Sequence, residues 1–301
     1  MTRHFGDVDD LSPADLDAVL DTAADRKVRL DRGTARTPLS DRTLVMLFEK
    51  PSTRTRVSFE TGMTQLGGHA IFLGPDDVGL GEREPIRDLS RSISGYADAV
   101  MVRLFEHADL IEFCEHATVP VVNGLTDRAH PCQTLADLLT IREHLGFDAS
   151  IAWIGDANNV ARSLAVGCGM VGLDLTLCTP EAYAIDEETL ARARSFDGDV
   201  EVTGNPREAA AGADAVYTDA WVSMGEESER EEKLEAFREG EFQVNDELLD
   251  SGSRVLHCLP AHRGEEITDE VIESDRSLVW EQAENRLHAQ KGLLTFLLDA
   301  D

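Results

Sequence analysis

Short apolar runs alternate with amphipathic stretches along nearly the whole chain. The opening segment, residues 11–30, sets Leu11, Leu16, Val19 and Leu20 at helical spacing, with Ser12-Pro13 near its start. An apolar run at 44–48 then predicts a buried strand, and Phe59, Met63 and Leu66 predict a helix over 52–66. The pattern continues as a strand at 69–73, a Gly/Asp-rich loop at 74–84, a helix at 85–96, a strand at 99–104, a helix at 108–116 and a strand at 119–122. A helix at 133–145 carries Leu135, Leu138, Leu139 and Ile141 and ends at Gly146. A second alternating series follows, with strands at 151–154, 173–178, 200–203, 215–218 and 254–258. Its helices are expected at 158–171, 187–195, 206–211 and 245–249, and an acidic run, 226–241, reads as helical and solvated. A last helix near 280–298 closes the chain, with Ala283, Leu287, Leu294 and Leu298 on one side.

Strand-helix alternation of this kind predicts an α/β fold of two doubly wound domains with mostly parallel sheets. The border is expected inside the 133–145 helix, giving domains of about 1–135 and 136–282, with the terminal helix, 283–301, packing back on the first. The 301 residues suffice for two cores, and 42% hydrophobic content is ordinary for a globular chain.

Charge changes the picture. The chain has 28 Lys+Arg against 58 Asp+Glu, a net charge of -30, and lysine occurs only at positions 27, 50, 233 and 291. Such acidity argues against nucleic acid and against an anionic membrane surface as partners. The acids are spread along the chain rather than clustered, which favours solubility in a saline cytoplasm over a docking surface for a basic partner. Five cysteines at 114, 132, 168, 178 and 258, odd in number and without a C-x-x-C pair, fit a reduced compartment. The first ten residues lack the apolar core of a signal peptide, and no apolar run reaches spanning length, so a cytoplasmic protein is expected.

Candidate chemistry concentrates where strands end. Ser52, Thr53, Arg54 and Thr55 sit at a strand-to-helix junction, where backbone N–H groups lack intrahelical partners and the helix dipole favours anions. Pro51 suits a first helical turn and Ser52 an N-cap. Hydroxyls and the forks of Arg54 and Arg56 suit a phosphate or carboxylate, although a capped helix with two surface arginines would look the same. Arg103 ends another buried strand, as either a ligand contact or a chain exit. His130-Pro131-Cys132-Gln133 precedes a helix, and no second His/Cys group with ligand spacing lies near it, so metal is disfavoured there. Gly155-Asp156-Ala157-Asn158-Asn159 has the context of a dinucleotide turn but not its glycine pattern. The true G-x-G-x-x-G, residues 167–172, lies late in a helix and reads as chance. Thr218-Asp219-Ala220-Trp221-Val222-Ser223-Met224-Gly225 and His257-Cys258-Leu259-Pro260 leave two further strand ends. Cys258 beside His257 is a nucleophile, a ligand or buried filler, and Arg286 reads as a surface partner of Gln282 or Gln290.

Ser52-Thr53-Arg54-Thr55 resembles the carbamoyl-phosphate motif of the aspartate and ornithine carbamoyltransferase family. The H-P-x-Q, D-x-x-x-S-M-G and H-C-L-P segments resemble it in the same order along nearly the whole chain, and the last two point to the ornithine branch. The resemblance implies an active site in the cleft between the domains. Carbamoyl phosphate would be held by Ser52, Thr53, Arg54, Thr55, Arg103, His130, Gln133, Cys258, Leu259 and Arg286, and L-ornithine by Asn159, Asp219, Ser223 and Met224. Arg54, His130, Asp219 and Cys258 would carry the catalysis, with Asp219 and Cys258 taking the proton of the δ-amine. No metal or organic cofactor is implied, and the assembly would be a homotrimer or a multiple of it. Many family members carry a Gln in the 74–84 loop that reaches a neighbouring subunit; Gly79 stands there in this chain. The rival readings are a carbamoyltransferase for putrescine, N-acetylornithine or aspartate, a nucleotide-dependent dehydrogenase on the Gly155 turn, and a non-catalytic anion-binding module.

Overall fold

The structure is a computed structural model that describes residues 2–79, 84–223, 225 and 227–300. The chain divides into two compact units, the first made of Met1–Leu139 with Glu284–Asp301 and the second of Thr140–Ala283.

The first unit opens with α1 (Pro13–Asp31), whose Ser12 hydroxyl accepts from the Asp15 N–H. Then come β1 (Thr43–Phe48), α2 (Thr53–Gln65), β2 (His69–Leu73), a single-turn helix α3 (Pro75–Val78), α4 (Ile86–Ser94), β3 (Ala99–Arg103), α5 (His107–His116) and β4 (Val121–Leu125). The four strands pair in parallel in the order β2-β1-β3-β4. Both faces are covered, so β1 and β3 read as continuous apolar runs, as expected of a parallel sheet. Val45, Leu47, Val100 and Val102 pack one face against Ile86, Leu89, Leu110 and Phe113. The sequence of strands reverses direction across the sheet between β1 and β3, where Phe48 pairs with Arg103.

The helix α6 (Pro131–His144) passes from the first unit to the second, which continues with β5 (Ser150–Ile154), α7 (Asn159–Val171), β6 (Asp174–Cys178), α8 (Glu187–Ala193), β7 (Val200–Thr203), α9 (Pro206–Ala210), β8 (Ala215–Thr218), α10 (Arg230–Glu239), β9 (Arg254–His257) and α11 (Asp269–Ile272). Its sheet is parallel throughout, in the order β7-β6-β5-β8-β9. The reversal here falls between β5 and β8. The last helix, α12 (Val279–Leu297), belongs to the first unit from Glu284 onward. There a Cβ on Gly292 would stand 2.6 Å from the Val19 carbonyl oxygen, so α12 and α1 approach at backbone distance.

Several sequence expectations need correction. Residues 245–249 form a single turn rather than a helix: the Asn245 side-chain oxygen accepts from the Glu247 and Leu248 N–H groups at 3.1 Å as a helix cap would, but the Asp250-Ser251-Gly252 turn follows before a helix can propagate. The acidic stretch is helical over α10 but not simply solvated: Lys233, Leu234 and Phe237 are buried. The strand expected at 119–122 runs instead over Val121–Leu125, starting just after Pro120, which has no N–H for a ladder. Part of the 74–84 loop is the single turn α3, which ends on Gly79 at φ 53°, the left-handed region where glycine carries no steric penalty. Pro51 lies just outside the Ser52 cap rather than in the first helical turn. Gly167 and Gly169 of the G-x-G-x-x-G are helical, and a Cβ on Gly169 would stand 2.3 Å from the Ala193 carbonyl oxygen, so this glycine permits α7 to meet α8.

Candidate active site

In open α/β sheets, ligands bind beyond the carboxyl ends of the strands where the winding reverses. Each unit carries a polar cluster at that place.

In the first unit, β1 leads directly into the Ser52 cap. The Ser52 hydroxyl accepts from the Thr55 N–H at 3.3 Å and donates to the Thr55 hydroxyl at 3.0 Å. Thr53 and Arg54 occupy the first two positions of α2, where helix geometry leaves N–H groups without intrahelical acceptors. Across the sheet reversal, Arg103 ends β3 and is buried, and its Nε has no hydrogen-bond partner among the described residues. Burial, then the neighbouring charges of Arg286 and Arg54, push its pKa down to about 9, so it stays cationic at neutral pH. Lys50 adds a further buried cation, its Nζ 4.3 Å from the centre of the Phe105 ring. Its pKa is lowered first by burial and then by Arg103.

His130 opens α6 by accepting from the Gln133 and Thr134 N–H groups through its carbonyl. Its imidazole is buried, and burial together with Arg286, Arg103 and Arg54 holds its pKa well below the ordinary value. It is therefore neutral at pH 7, able to donate one ring N–H without adding charge. From α12, the Arg286 guanidinium donates to Gln133 Oε1 at 2.7 Å and to the Thr55 hydroxyl at 3.2 Å. Gln133 in turn donates from Nε2 to Asp137 at 2.8 Å, so its amide orientation is fixed from both ends. Arg286 is not the surface partner of Gln282 or Gln290 that its helix position suggests; it is buried among the first unit's polar groups.

The cluster of the second unit centres on Asp219, just beyond β8. The Asn158 side-chain NH2 donates to Asp219 at 2.8 Å, while its oxygen accepts from the Val160 and Ala161 N–H groups. Asn158 thus closes the N-terminus of α7 and holds the carboxylate at the same time. A dinucleotide pyrophosphate would need those same N–H groups. Asn159 is the first residue of α7 and is half-buried, as are Asp219 and Ser223; Met224 lies outside the described residues. One ligand atom each of Asp219, His257 and Cys258 lies within 4.8 Å of the others. His257 is fully buried: its Nδ1 accepts from the Leu259 N–H at 2.9 Å and its Nε2 donates to Glu266 at 3.0 Å. That pattern assigns the proton to Nε2. Leu259 is held at φ 61°, a strained conformation for a branched side chain. Beside this cluster, Lys233 of α10 forms a buried ion pair with Asp156 at 2.8 Å.

Ser52, Thr53, Arg54, Thr55, Arg103, His130, Gln133 and Arg286 thus lie in the first unit, and Asn159, Asp219, Ser223, Cys258 and Leu259 in the second, where Asp219 and Cys258 are brought together. Sequence reasoning missed Asp137, Asn158, Lys50 and the His257–Glu266 pair as contributors. The Gln133–Asp137 spacing of four on a helix was an available signal for the first. Two groups of side chains have metal-ligand proximity among the described residues: Asp219, His257 and Cys258, and His262, Glu265 and Glu266.

Each of the two parallel sheets thus carries polar groups at its reversal, arginines and a histidine in the first unit and a carboxylate, amides and a thiol in the second. The chain belongs to the aspartate/ornithine carbamoyltransferase family: the model of its carbamoyl-P binding domain matches residues 3–143, and that of its Asp/Orn binding domain matches residues 148–297. It is 58% identical over 300 residues to an ornithine carbamoyltransferase of Haloquadratum walsbyi, covering 99% of this chain and 98% of that one. It is 48% identical to a catabolic ornithine carbamoyltransferase of Halobacterium salinarum, covering 99% of each. Among solved structures, ornithine carbamoyltransferase from Pyrococcus furiosus superimposes with a TM-score of 0.94 at 44% identity, covering 99% of this chain and 97% of that one.

Proposed function

We propose that this chain is an ornithine carbamoyltransferase, transferring the carbamoyl group of carbamoyl phosphate to the δ-amine of L-ornithine to give citrulline and phosphate. The observation that carries the reading is the set of mutually repelling cations at the first sheet's reversal: Arg54, Arg103 and Arg286 around a neutral His130. Such a set is costly when empty and favourable around a dianion.

In this reading the phosphate rests on the α2 N-terminus, through Ser52, Thr53, Arg54 and Thr55, and on Arg103. Arg54, His130 and the Arg286–Gln133 pair polarise the carbamoyl oxygen and stabilise the charge that grows there in the tetrahedral transition state. A neutral His130 suits this role, since it donates a hydrogen bond without deepening the cation repulsion. Asn159, Ser223, Met224 and Asp219 hold ornithine. An alkylamine has an ordinary pKa of about 10.4, so the δ-nitrogen must lose a proton before attack. Asp219, aligned by Asn158, and Cys258 are the groups placed to receive it. The amine then attacks the carbamoyl carbon, the C–O bond to phosphate breaks, and the nitrogen gives its second proton to the departing phosphate oxygen, so that citrulline and hydrogen phosphate leave. Positioning the two reactants supplies much of the remaining acceleration.

A dehydrogenase reading is disfavoured by Asn158, which already occupies the helix N-terminus a dinucleotide would use. A homotrimer and a cytoplasmic location belong to the same proposal. Steady-state citrulline formation tests it, with putrescine, N-acetylornithine and aspartate as alternative acceptors and KCl varied to molar concentration. Ornithine is expected to exceed every other acceptor in kcat/KM; preference for another acceptor, or no carbamoyl transfer at all, overturns it.

A further inference from the structure

Glu266 is wholly buried, and its two oxygens are used unequally. Oε1 accepts from His257 Nε2 at 3.0 Å and from the His262 N–H at 2.6 Å. Oε2 is buried and has no hydrogen-bond partner among the described residues. A carboxylate oxygen in that position is costly unless a cation or donor reaches it. Two further ligand groups stand beside it. One ligand atom each of His262, Glu265 and Glu266 lies within 4.8 Å of the others, and His262 Nδ1 is 3.8 Å from Glu265 Oε2. Glu265 gives its other oxygen, Oε1, to Arg230. The side chains grade from solvent inward, at 42% exposed for His262, 22% for Glu265 and 0% for Glu266.

We propose that His262, Glu265 and Glu266 form a site for a divalent first-row transition ion such as Zn2+, with Glu266 Oε2 as its buried ligand. One imidazole and two carboxylates are a donor set that such ions favour over the harder alkaline-earth ions. Water would complete the coordination on the exposed side. The two backbone carbonyls next to the site, Gly264 and Glu265, are tied down by Gln243 Nε2 at 3.0 Å each, so the 264–266 turn is held in place before an ion arrives. The site is distinct from the Asp219, His257 and Cys258 group, but it touches it: Glu266 is the partner that orients His257, and His257 in turn holds the Leu259 N–H. An ion drawing on Glu266 would weaken its grip on His257.

Calorimetric titration of the intact protein with ZnCl2 tests the assignment without reference to catalysis. The experiment compares the native chain with His262→Ala, Glu265→Gln and Cys258→Ser. His262 is partly exposed, so its removal leaves the core intact. The expected result is one saturable site that weakens at least tenfold in His262→Ala and Glu265→Gln and persists in Cys258→Ser. Absence of saturable binding in the native chain, or a site lost in Cys258→Ser and unchanged in His262→Ala, overturns it.

Discussion

Arg286 Nη1 donates to Gln133 Oε1 at 2.7 Å across 153 residues of chain, joining the last helix to the start of α6. The bond is buried and charge-assisted, and Asp137 fixes the far side of the same amide. Replacing Gln133 by Leu removes the acceptor from Arg286 and the donor from Asp137 together. Two charged groups then lose buried partners. We expect Gln133→Leu to lower unfolding free energy by about 3 kcal/mol, within the range for breaking buried charged hydrogen bonds. Urea unfolding measures it, and Gln133→Glu, which keeps the Arg286 bond but repels Asp137, should recover only part of the loss.

His130 is neutral in the fold because burial and three arginines hold its pKa below the ordinary value. The unfolded chain binds its proton at the ordinary pKa of about 6.5, so below that pH the unfolded state holds more protons than the native one. Stability from this group is therefore complete above pH about 6.5 and declines as pH falls toward the folded pKa, by at most about 1.4 kcal/mol per pH unit. His4 and His288 are also lowered and contribute in the same direction. Comparing the chain with His130→Gln isolates the one residue: the variant should show a shallower loss of stability between pH 6.5 and 5. Parallel slopes would contradict the electrostatic picture of the cradle.

The Lys233–Asp156 pair is buried, with side chains 4% and 9% exposed. Lys233 also lies 5.1 Å over the Tyr183 ring, and Phe237 stacks between Tyr183 and Trp221 at 5.5 and 5.1 Å. Lys233→Met would take the buried cation away from the Asp156 carboxylate. Removing one partner of a buried pair typically costs about 3–5 kcal/mol, whereas replacing both is far milder. Accordingly Lys233→Met should be strongly destabilised in chemical unfolding, and Lys233→Met with Asp156→Asn should regain most of the loss.

Three of the four lysines, Lys50, Lys233 and Lys291, are buried, and the fourth, Lys27, donates to Asn285 at 2.8 Å. Lysine has thus been kept for internal partners while the surface is left to carboxylates, at a net charge of -30. Raising KCl from about 0.1 M to about 1 M shortens the screening length from about 10 Å to about 3 Å and mutes this self-repulsion. The thermal midpoint should climb across that range. A midpoint that is flat or falls with salt would mean that the surface acids do not limit stability.

Much of this architecture was legible in the sequence, and the failures have physical causes. The β1–Ser52–α2 junction was readable because a continuous apolar strand, a capping serine and a helical period follow one another without a gap. The two sheet reversals were not readable, since strand order depends on pairings such as Phe48 with Arg103 that no local pattern encodes. Arg286 was legible as a site residue only by resemblance, and its burial not at all, because its partners Gln133 and Thr55 are remote in sequence. The buried face of α10 was hidden because its six acidic or basic neighbours dominate the composition, although Lys233 and Phe237 already stood at a spacing of four. The false helix at 245–249 failed for a local reason: Asn245 caps one turn only, and the Asp250-Ser251-Gly252 turn follows at once.

The proposed role of the arginine cradle, binding the donor and stabilising its transition state, is tested most directly by Arg54→Ala. Steady-state citrulline formation by this variant should fall by about 100-fold or more in kcat, while its thermal unfolding stays cooperative. Turnover close to that of the native chain would contradict the account.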